Sequence, residues 1–273
     1  MITPKVIHYC WFGGGPLSRQ AERTLLTWRK YSPEYEIKRW DEGNFNVEDC
    51  LFVSGAYAAK KWAFVSDYAR FKVLYEFGGV YMDVGSELIQ DIDGLVVEHS
   101  PLVGIENGSW TANAGLIAAC DAHNELIGDV LEKYRALAFE NTDDFCASHT
   151  VNDMLTDILI ERGYVRNGSF QRVCGWTFLP PEYFDPSYGF GGYSVTANTY
   201  SIHKGSGSWG SPALKMKHRV EHKLTPLIGR RAAQIAGRVI GEISCNGIVD
   251  GTANLFSATS DVLARKKDKL PEQ

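Results

Sequence analysis

The stretch FGGVYMDVGSEL, residues 77–88, carries an aspartate to the end of an apolar strand that starts directly after two glycines. Gly78 and Gly79 are the stop signal of a helix, since glycine enters the capping conformation without steric penalty. In the strand VYMDV, Val80, Met82 and Val84 share one face while Tyr81 and Asp83 share the other. Burying the Asp83 carboxylate unpaired is costly, so it requires a cation, an arginine or water.

Upstream, residues 56–77 contain no Gly or Pro, and Phe64, Tyr68, Phe71 and Tyr75 recur at helical spacing, which predicts one helix across the span. Asp67 and Arg70 lie on a neighbouring stripe. An acid and a base three apart are first of all a helical ion pair. Here the helix runs straight into the strand bearing Asp83, which brings the pair to a strand C-terminus, where open α/β sheets bind ligands.

Nearer the N-terminus, KVIHYCW (5–11) is β-rich and ends in Gly13-Gly14-Gly15-Pro16, a turn signal. Ser18 caps a helix expected to reach Lys30, and EIKRW (36–40) alternates as a second strand. A β-α-β unit of this kind predicts a parallel sheet with helices on its faces. Trp11, at the end of the first strand, is either core or a platform for a flat ring. The glycines after it do not make the GxGxxG pattern of a dinucleotide oxidoreductase.

Downstream, PLVGIE and NAGLIAA read as strands and HTVNDMLTDILIERG as a helix with Thr150 and Asp153 as its capping box. Residues 165–212 are rich in Gly, Ser, Pro and aromatics and predict loops with short strands. Within them His203 and Trp209 bracket KGSGS, a loop whose cation, hydroxyls and backbone N–H groups suit phosphate. A division into a main domain, 1–212, and a basic helical extension, 213–273, is expected.

The bulk properties fit this organisation. The chain has 273 residues, 44% hydrophobic, with a net charge of -5 and six cysteines lacking any CxxC pair. That balance argues against a general nucleic-acid binder, and the scattered cysteines against a zinc knuckle or a disulfide framework; they read as reduced thiols of a cytoplasmic protein. The N-terminal MITPKVIHYCWFGGG lacks the marks of a signal peptide. Residues 215–238 hold seven Lys or Arg against one acid, which predicts either a solvated basic face or a peripheral contact with the inner face of an anionic membrane.

Together, PKVIHYCWFGGGPLS, SPEYEIKRWDE, KKWAFVSDYARFKVLYEFGGVYMDV, NAGLIAA and YSIHKGSGSW resemble, in order and wording, the DXD-motif sugar transferases of glycosyltransferase family 32. The resemblance implies a GT-A fold, an α/β nucleotide-binding domain with a mostly parallel sheet, and transfer from a nucleotide-diphosphate sugar with retention of configuration. It implies that Trp11 stacks on the base and that Asp67 and Arg70 hold donor sugar hydroxyls. Tyr81 and Asp83 match the Tyr and first Asp of the YxDxD strand, and Asn113 the asparagine near the sugar. His203, Lys204, Ser208 and Trp209 look like the late loop over the diphosphate.

Gly85 departs from the pattern, because the family places there the second DXD aspartate that binds Mn²⁺ or Mg²⁺. Three explanations stand at this point. Glu87 or His203 completes a metal site with Asp83; Lys204 and Arg70 act in place of the ion; or the chain binds nucleotide-sugar without turning it over. The expected function is a UDP-favouring hexosyltransferase acting on a glycan or lipid-linked glycan acceptor in capsule, exopolysaccharide or lipopolysaccharide synthesis.

Overall fold

The computed structural model describes residues 3–188, 192–204, 220, 235–237 and 239–240. The chain divides into two compact units, Met1–Ser187 with Tyr193–Ser206, and Tyr188–Gly192 with Gly207–Gln273. In the second unit Val220, 235–237 and 239–240 are helical. The expected boundary at 212/213 and most of the basic segment lie outside the described residues.

The first unit opens with β1 (Val6–Cys10), α1 (Arg19–Tyr31) and β2 (Glu36–Trp40), followed by α2 (Leu51–Ala58), α3 (Trp62–Phe77), β3 (Gly79–Tyr81) and β4 (Ser86–Leu88). Then come α4 (Asp93–His99), β5 (Leu102–Ile105), β6 (Ala112–Cys120), α5 (Glu125–Arg135), α6 (Asp143–Ser148) and α7 (Val151–Glu161). The rest is short: β7 (Gln171–Val173), β8 (Trp176–Leu179), α8 (Pro181–Phe184), β9 (Ser187–Tyr188), β10 (Gly192–Tyr193) and β11 (Ser201–His203).

Seven strands form one sheet in the order β2-β1-β3-β6-β5-β8-β7. β1, β2 and β3 run parallel, as do β5 and β8. β6 is antiparallel to both its neighbours and β7 is antiparallel to β8. This is a mixed α/β sheet in which five of the seven strands point the same way, in keeping with the GT-A expectation. Because β6 runs backwards, its first residues meet the last residues of β5, and its last three residues pair with β3.

Alternation along the strands splits the core into two layers. Ile7, Tyr9, Val80 and Met82 pack with Leu25 and Trp28 of α1 and with Leu95 and Val96 of α4. Cys10 and Tyr81 point the other way, toward Phe64, Tyr68 and Phe71 of α3 and Leu131 and Tyr134 of α5. Val65, Ala69 and Val73 of α3 are buried as well as the expected stripe, so this helix is covered nearly all round.

Residues 56–77 are not one helix. α2 ends at Ala58 and α3 begins at Trp62, with Lys60 in the left-handed region at φ 57. The Lys60 N–H donates to Tyr57 O and the Lys61 N–H to Ala56 O, each at 2.9 Å. A lysine thus closes the helix in the manner usually left to glycine, so no Gly or Pro marks the break. The α1 expectation holds: Ser18 Oγ accepts from the Ala21 N–H at 3.1 Å. So does that of α7, where Thr150 Oγ1 accepts from the Asp153 N–H at 3.2 Å.

Gly78 and Gly79 have φ of 62 and 95. A Cβ at Gly78 would come within 2.6 Å of the Ala122 nitrogen, and one at Gly79 within 2.9 Å of the Val6 carbonyl oxygen. Both residues are therefore glycine for two reasons, and together they launch β3 directly from α3. No helix among the described residues is long and apolar enough to cross a membrane.

Candidate functional site

The parallel strands end on one rim, and Asp83 stands two residues past the end of β3. Its backbone N–H donates to the Gly115 carbonyl at 2.8 Å, which stitches it to β6. Its Oδ1 accepts from the Tyr81 hydroxyl at 2.9 Å and from Arg70 Nη2 at 3.4 Å. Among the described residues Oδ2 has no donor. It lies against Gly115, where an added Cβ would overlap it and come within 2.9 Å of its Cγ.

Arg70 is 4% exposed, and its Nη2 also meets Asp67 Oδ1 at 2.8 Å. Its guanidinium sits 5.1 Å from the centre of the Tyr81 ring. Helix geometry brings Asp67 to Arg70, and the glycine pair turns the chain so that Asp83 returns to the same guanidinium. One buried cation therefore serves two carboxylates, a partial neutralisation that leaves the cluster anionic when both are ionised. Burial pushes the Asp67 carboxyl up to about 6, partly opposed by Arg70 and reinforced by Asp83. The two carboxylates raise the Arg70 pKa further, so it stays charged.

Beside Asp83, β4 pairs with β11, matching Ser86 to His203 and Glu87 to Ile202. The Lys204 N–H donates to the Gly85 carbonyl at 2.8 Å. A Cβ at Gly85 would stand 3.1 Å from the Lys204 carbonyl oxygen and 3.3 Å from His203 Cε1. The late strand thus crowds the space beside residue 85. Ser86 Oγ donates to the Gly115 carbonyl at 3.2 Å and contacts His203 Nδ1 at 3.0 Å. With the hydroxyl proton committed, Nδ1–H is the donor and Nε2 keeps its lone pair.

Glu87 is occupied: Gln20 Nε2 donates to its Oε1 at 2.6 Å and Lys204 Nζ to its Oε2 at 2.5 Å. No three His, Cys, Asp or Glu gather as a metal-binding group among the described residues. Asp83, Glu87 and His203 do not make up a ready three-ligand set; Asp83 Oδ2 and His203 Nε2 each keep an unused lone pair, while Glu87 is held by Lys204. Residues 205–212, GSGSWGSP, supply hydroxyls but no carboxylate or imidazole. Ser208 and Trp209 lie outside the described residues.

Asn113, in the second position of β6, is 8% exposed, with its Oδ1 accepting from the Gly115 N–H at 2.8 Å and its Nδ2 donating to Glu106 Oε1 at 3.4 Å. Trp11 follows β1; its backbone N–H bonds the Trp40 carbonyl at 2.8 Å and its indole N–H bonds the Gly15 carbonyl at 2.9 Å. The glycine loop after it is clasped by Glu42, whose Oε1 accepts from the Gly13 N–H at 2.5 Å, and by the Trp62 ring, which fills the Cβ space of Gly13. Sequence reasoning missed Glu106, Gly115, Gln20 and Trp62. Glu106 alone carried a signal, as a carboxylate at the end of the apolar run PLVGI.

A cavity of about 750 Å³, lined among others by Asp121, His123, Glu125, Arg162 and Trp176, lies beyond the opposite end of β6, and no expected site residue lines it. A buried histidine pairs in register with Tyr81, but its ring bonds elsewhere. His8 receives the Trp40 indole N–H at Nδ1, so its Nε2–H donates to the Gly78 carbonyl at 3.0 Å. Burial lowers its pKa to about 4.

Residues 18–101, from the cap of α1 to the threshold of β5, match the family model described as the glycosyltransferase sugar-binding region containing DXD motif. Over these residues the chain is similar to glycosyltransferase sugar-binding regions. More particularly, Asp67, Arg70, Asp83 and Gly85 all fall inside the matched region, which covers less than a third of the chain. Among solved structures the chain is similar to "PaToxG Glycosyltransferase", at TM-score 0.46 and 16% identity over 58% of this chain and 68% of that one. It is also similar to the ligand-free glycosyltransferase domain from the YGT toxin, at TM-score 0.31 and 10% identity over 48% of this chain and 62% of that one. No curated protein matches.

Proposed function

We propose that the protein is a retaining glycosyltransferase that moves a hexose from a nucleotide-diphosphate sugar, with UDP the favoured carrier, to a glycan or lipid-linked glycan acceptor. Capsule, exopolysaccharide or lipopolysaccharide synthesis is the proposed setting. The observation that carries the reading is Arg70, buried inside the matched region and shared between Asp67 and Asp83 at the strand rim.

In this reading Trp11 flanks the base and Asp83 Oδ2 accepts a ribose hydroxyl. Asp67 accepts a sugar hydroxyl while Arg70 and Asn113 orient the same ring. His203 and Lys204 face the diphosphate. The acceptor hydroxyl attacks the anomeric carbon from the side of the departing phosphate, which takes the bonding electrons and the hydroxyl proton. A divalent ion, which such enzymes commonly use, would stabilise charge on the leaving diphosphate. The described side chains do not form a complete site for it.

The test is release of nucleoside diphosphate from UDP-glucose, UDP-galactose, UDP-N-acetylglucosamine and GDP-mannose, with Mn²⁺ or EDTA, for the protein and for Asp67→Asn and Arg70→Lys. Turnover that survives both substitutions would sink the assignment. A second reading, a nucleotide-sugar-binding protein without turnover, is favoured by Gly85 and by the Lys204–Glu87 pair. It is selected if calorimetry detects donor binding and no diphosphate is released under any condition.

A further inference from the structure

We infer that Glu106 is a positioning residue, whose carboxylate sets the Asn113 amide and, through the backbone of Gly115, the seats of Asp83 and His203. The inference rests on the proposed donor-holding roles of Asn113, Asp83 and His203. Glu106 immediately follows β5, and its Oε2 accepts from the hydroxyls of Ser109 at 2.8 Å and Thr111 at 3.3 Å and from Asn152 Nδ2 at 3.4 Å. Its Oε1 accepts from Asn113 Nδ2 at 3.4 Å. Each of these donors is neutral, and they come from the β5–β6 loop, β6 and α7. A half-buried carboxylate held by dipoles from three elements ties those elements together.

The carboxylate also fixes which way the Asn113 amide faces. Its NH₂ points at Glu106 and its oxygen at the Gly115 N–H. Turning the amide over would set oxygen against carboxylate and NH₂ against N–H, two repulsions in place of two bonds. From there the contacts run on through one residue, Gly115, whose N–H and carbonyl belong to the two peptide groups flanking its Cα. The Gly115 carbonyl takes the Asp83 N–H at 2.8 Å and the Ser86 hydroxyl at 3.2 Å, and Ser86 Oγ takes His203 Nδ1–H at 3.0 Å. Glu106 touches none of the proposed donor-holding groups except Asn113, yet it stands at the head of the bonds that place Asp83 and His203.

Glu106→Gln keeps the shape of the side chain but turns an NH₂ group toward donors. Two readouts test it. The first is the side-chain amide signal of Asn113 in a ¹⁵N-correlated NMR spectrum, assigned by its loss in Asn113→Ala. It is expected to move clearly in Glu106→Gln, and to move less, in the same direction, in Asn152→Ala, which strips one donor from the same carboxylate. The second is a double-mutant cycle on the donor KM. Glu106→Gln should raise KM about tenfold, the loss of one hydrogen bond to a charged partner. It should add nothing in an Asn113→Ala background, because Glu106 acts through that amide.

An unmoved Asn113 signal, or losses that add independently in the double variant, would overturn the inference. If the unaltered protein releases no diphosphate from any donor, the proposed function fails, and the amide signal alone decides the positioning.

Discussion

The carboxylate of Asp83 occupies the volume that a Cβ at Gly115 would need. Gly115 has an ordinary backbone conformation, so its glycine is demanded by this neighbour and not by its own φ. Gly115→Ala should therefore push Asp83 off Tyr81 and Arg70, abolish donor binding in calorimetry, and lower stability by about 1–3 kcal/mol as an overpacked site does. In an Asp83→Ala background the same substitution should cost far less in a urea titration. An equal cost in both backgrounds would show that the two residues do not compete for space.

Arg70 supplies the positive charge between two carboxylates. Arg70→Ala should destabilise the protein by about 3–5 kcal/mol, the usual consequence of removing one partner from a buried ionic group. Arg70→Lys keeps the charge but not the planar fork, so it should recover much of the stability and little of the activity. Denaturant midpoints and diphosphate release measured on the same samples check both halves.

Two buried groups pull the pH dependence of stability in opposite directions. Asp67 binds its proton more tightly in the fold, at about 6 against an ordinary 3.8, so its contribution is full below about pH 4 and is lost as pH rises through 6. His8, lowered to about 4 from 6.5, contributes stability that is full above about pH 6.5 and is lost as pH falls toward 4. The two partly cancel between pH 4 and 6. Asp67→Asn should make stability rise more steeply with pH across that window, and His8→Gln should make it fall. Parallel curves for the two variants would contradict the assignment. Diphosphate release by the unaltered protein should climb through about pH 6 as Asp67 ionises.

The ion pair between Lys204 and Glu87 should control how a divalent ion binds at the rim. With Glu87 occupied, Glu87→Gln should leave Mn²⁺ affinity nearly unchanged in an electron paramagnetic resonance titration. Lys204→Gln frees the carboxylate and should tighten binding, whereas Asp83→Asn and His203→Gln should weaken it. A large loss in Glu87→Gln would mean that Lys204 gives way to the metal.

The path from α3 through the glycine pair to Asp83 was legible because each step has its own local signal: an apolar helix without breakers, a left-handed stop, and alternation in VYMDV. Asp67 and Arg70 followed from helical spacing. The helix break at Lys60 was hidden because a lysine performs a glycine's task. The reversed direction of β6 was hidden too, since an apolar strand buried on both faces reads the same either way. Gly115 and the closure of β11 on β4 depend on neighbours distant in sequence, and no local pattern records them.

That closure sets an order of events during synthesis. Ser86 and His203 touch across 117 positions of sequence. A nascent chain stalled short of Ser201 would already carry Asp67, Arg70, Asp83 and Asn113. It would still expose Gly85 to water, and β11, which pairs with β4, would be missing. Translation must therefore carry Lys204 clear of the ribosome before the rim has both of its walls.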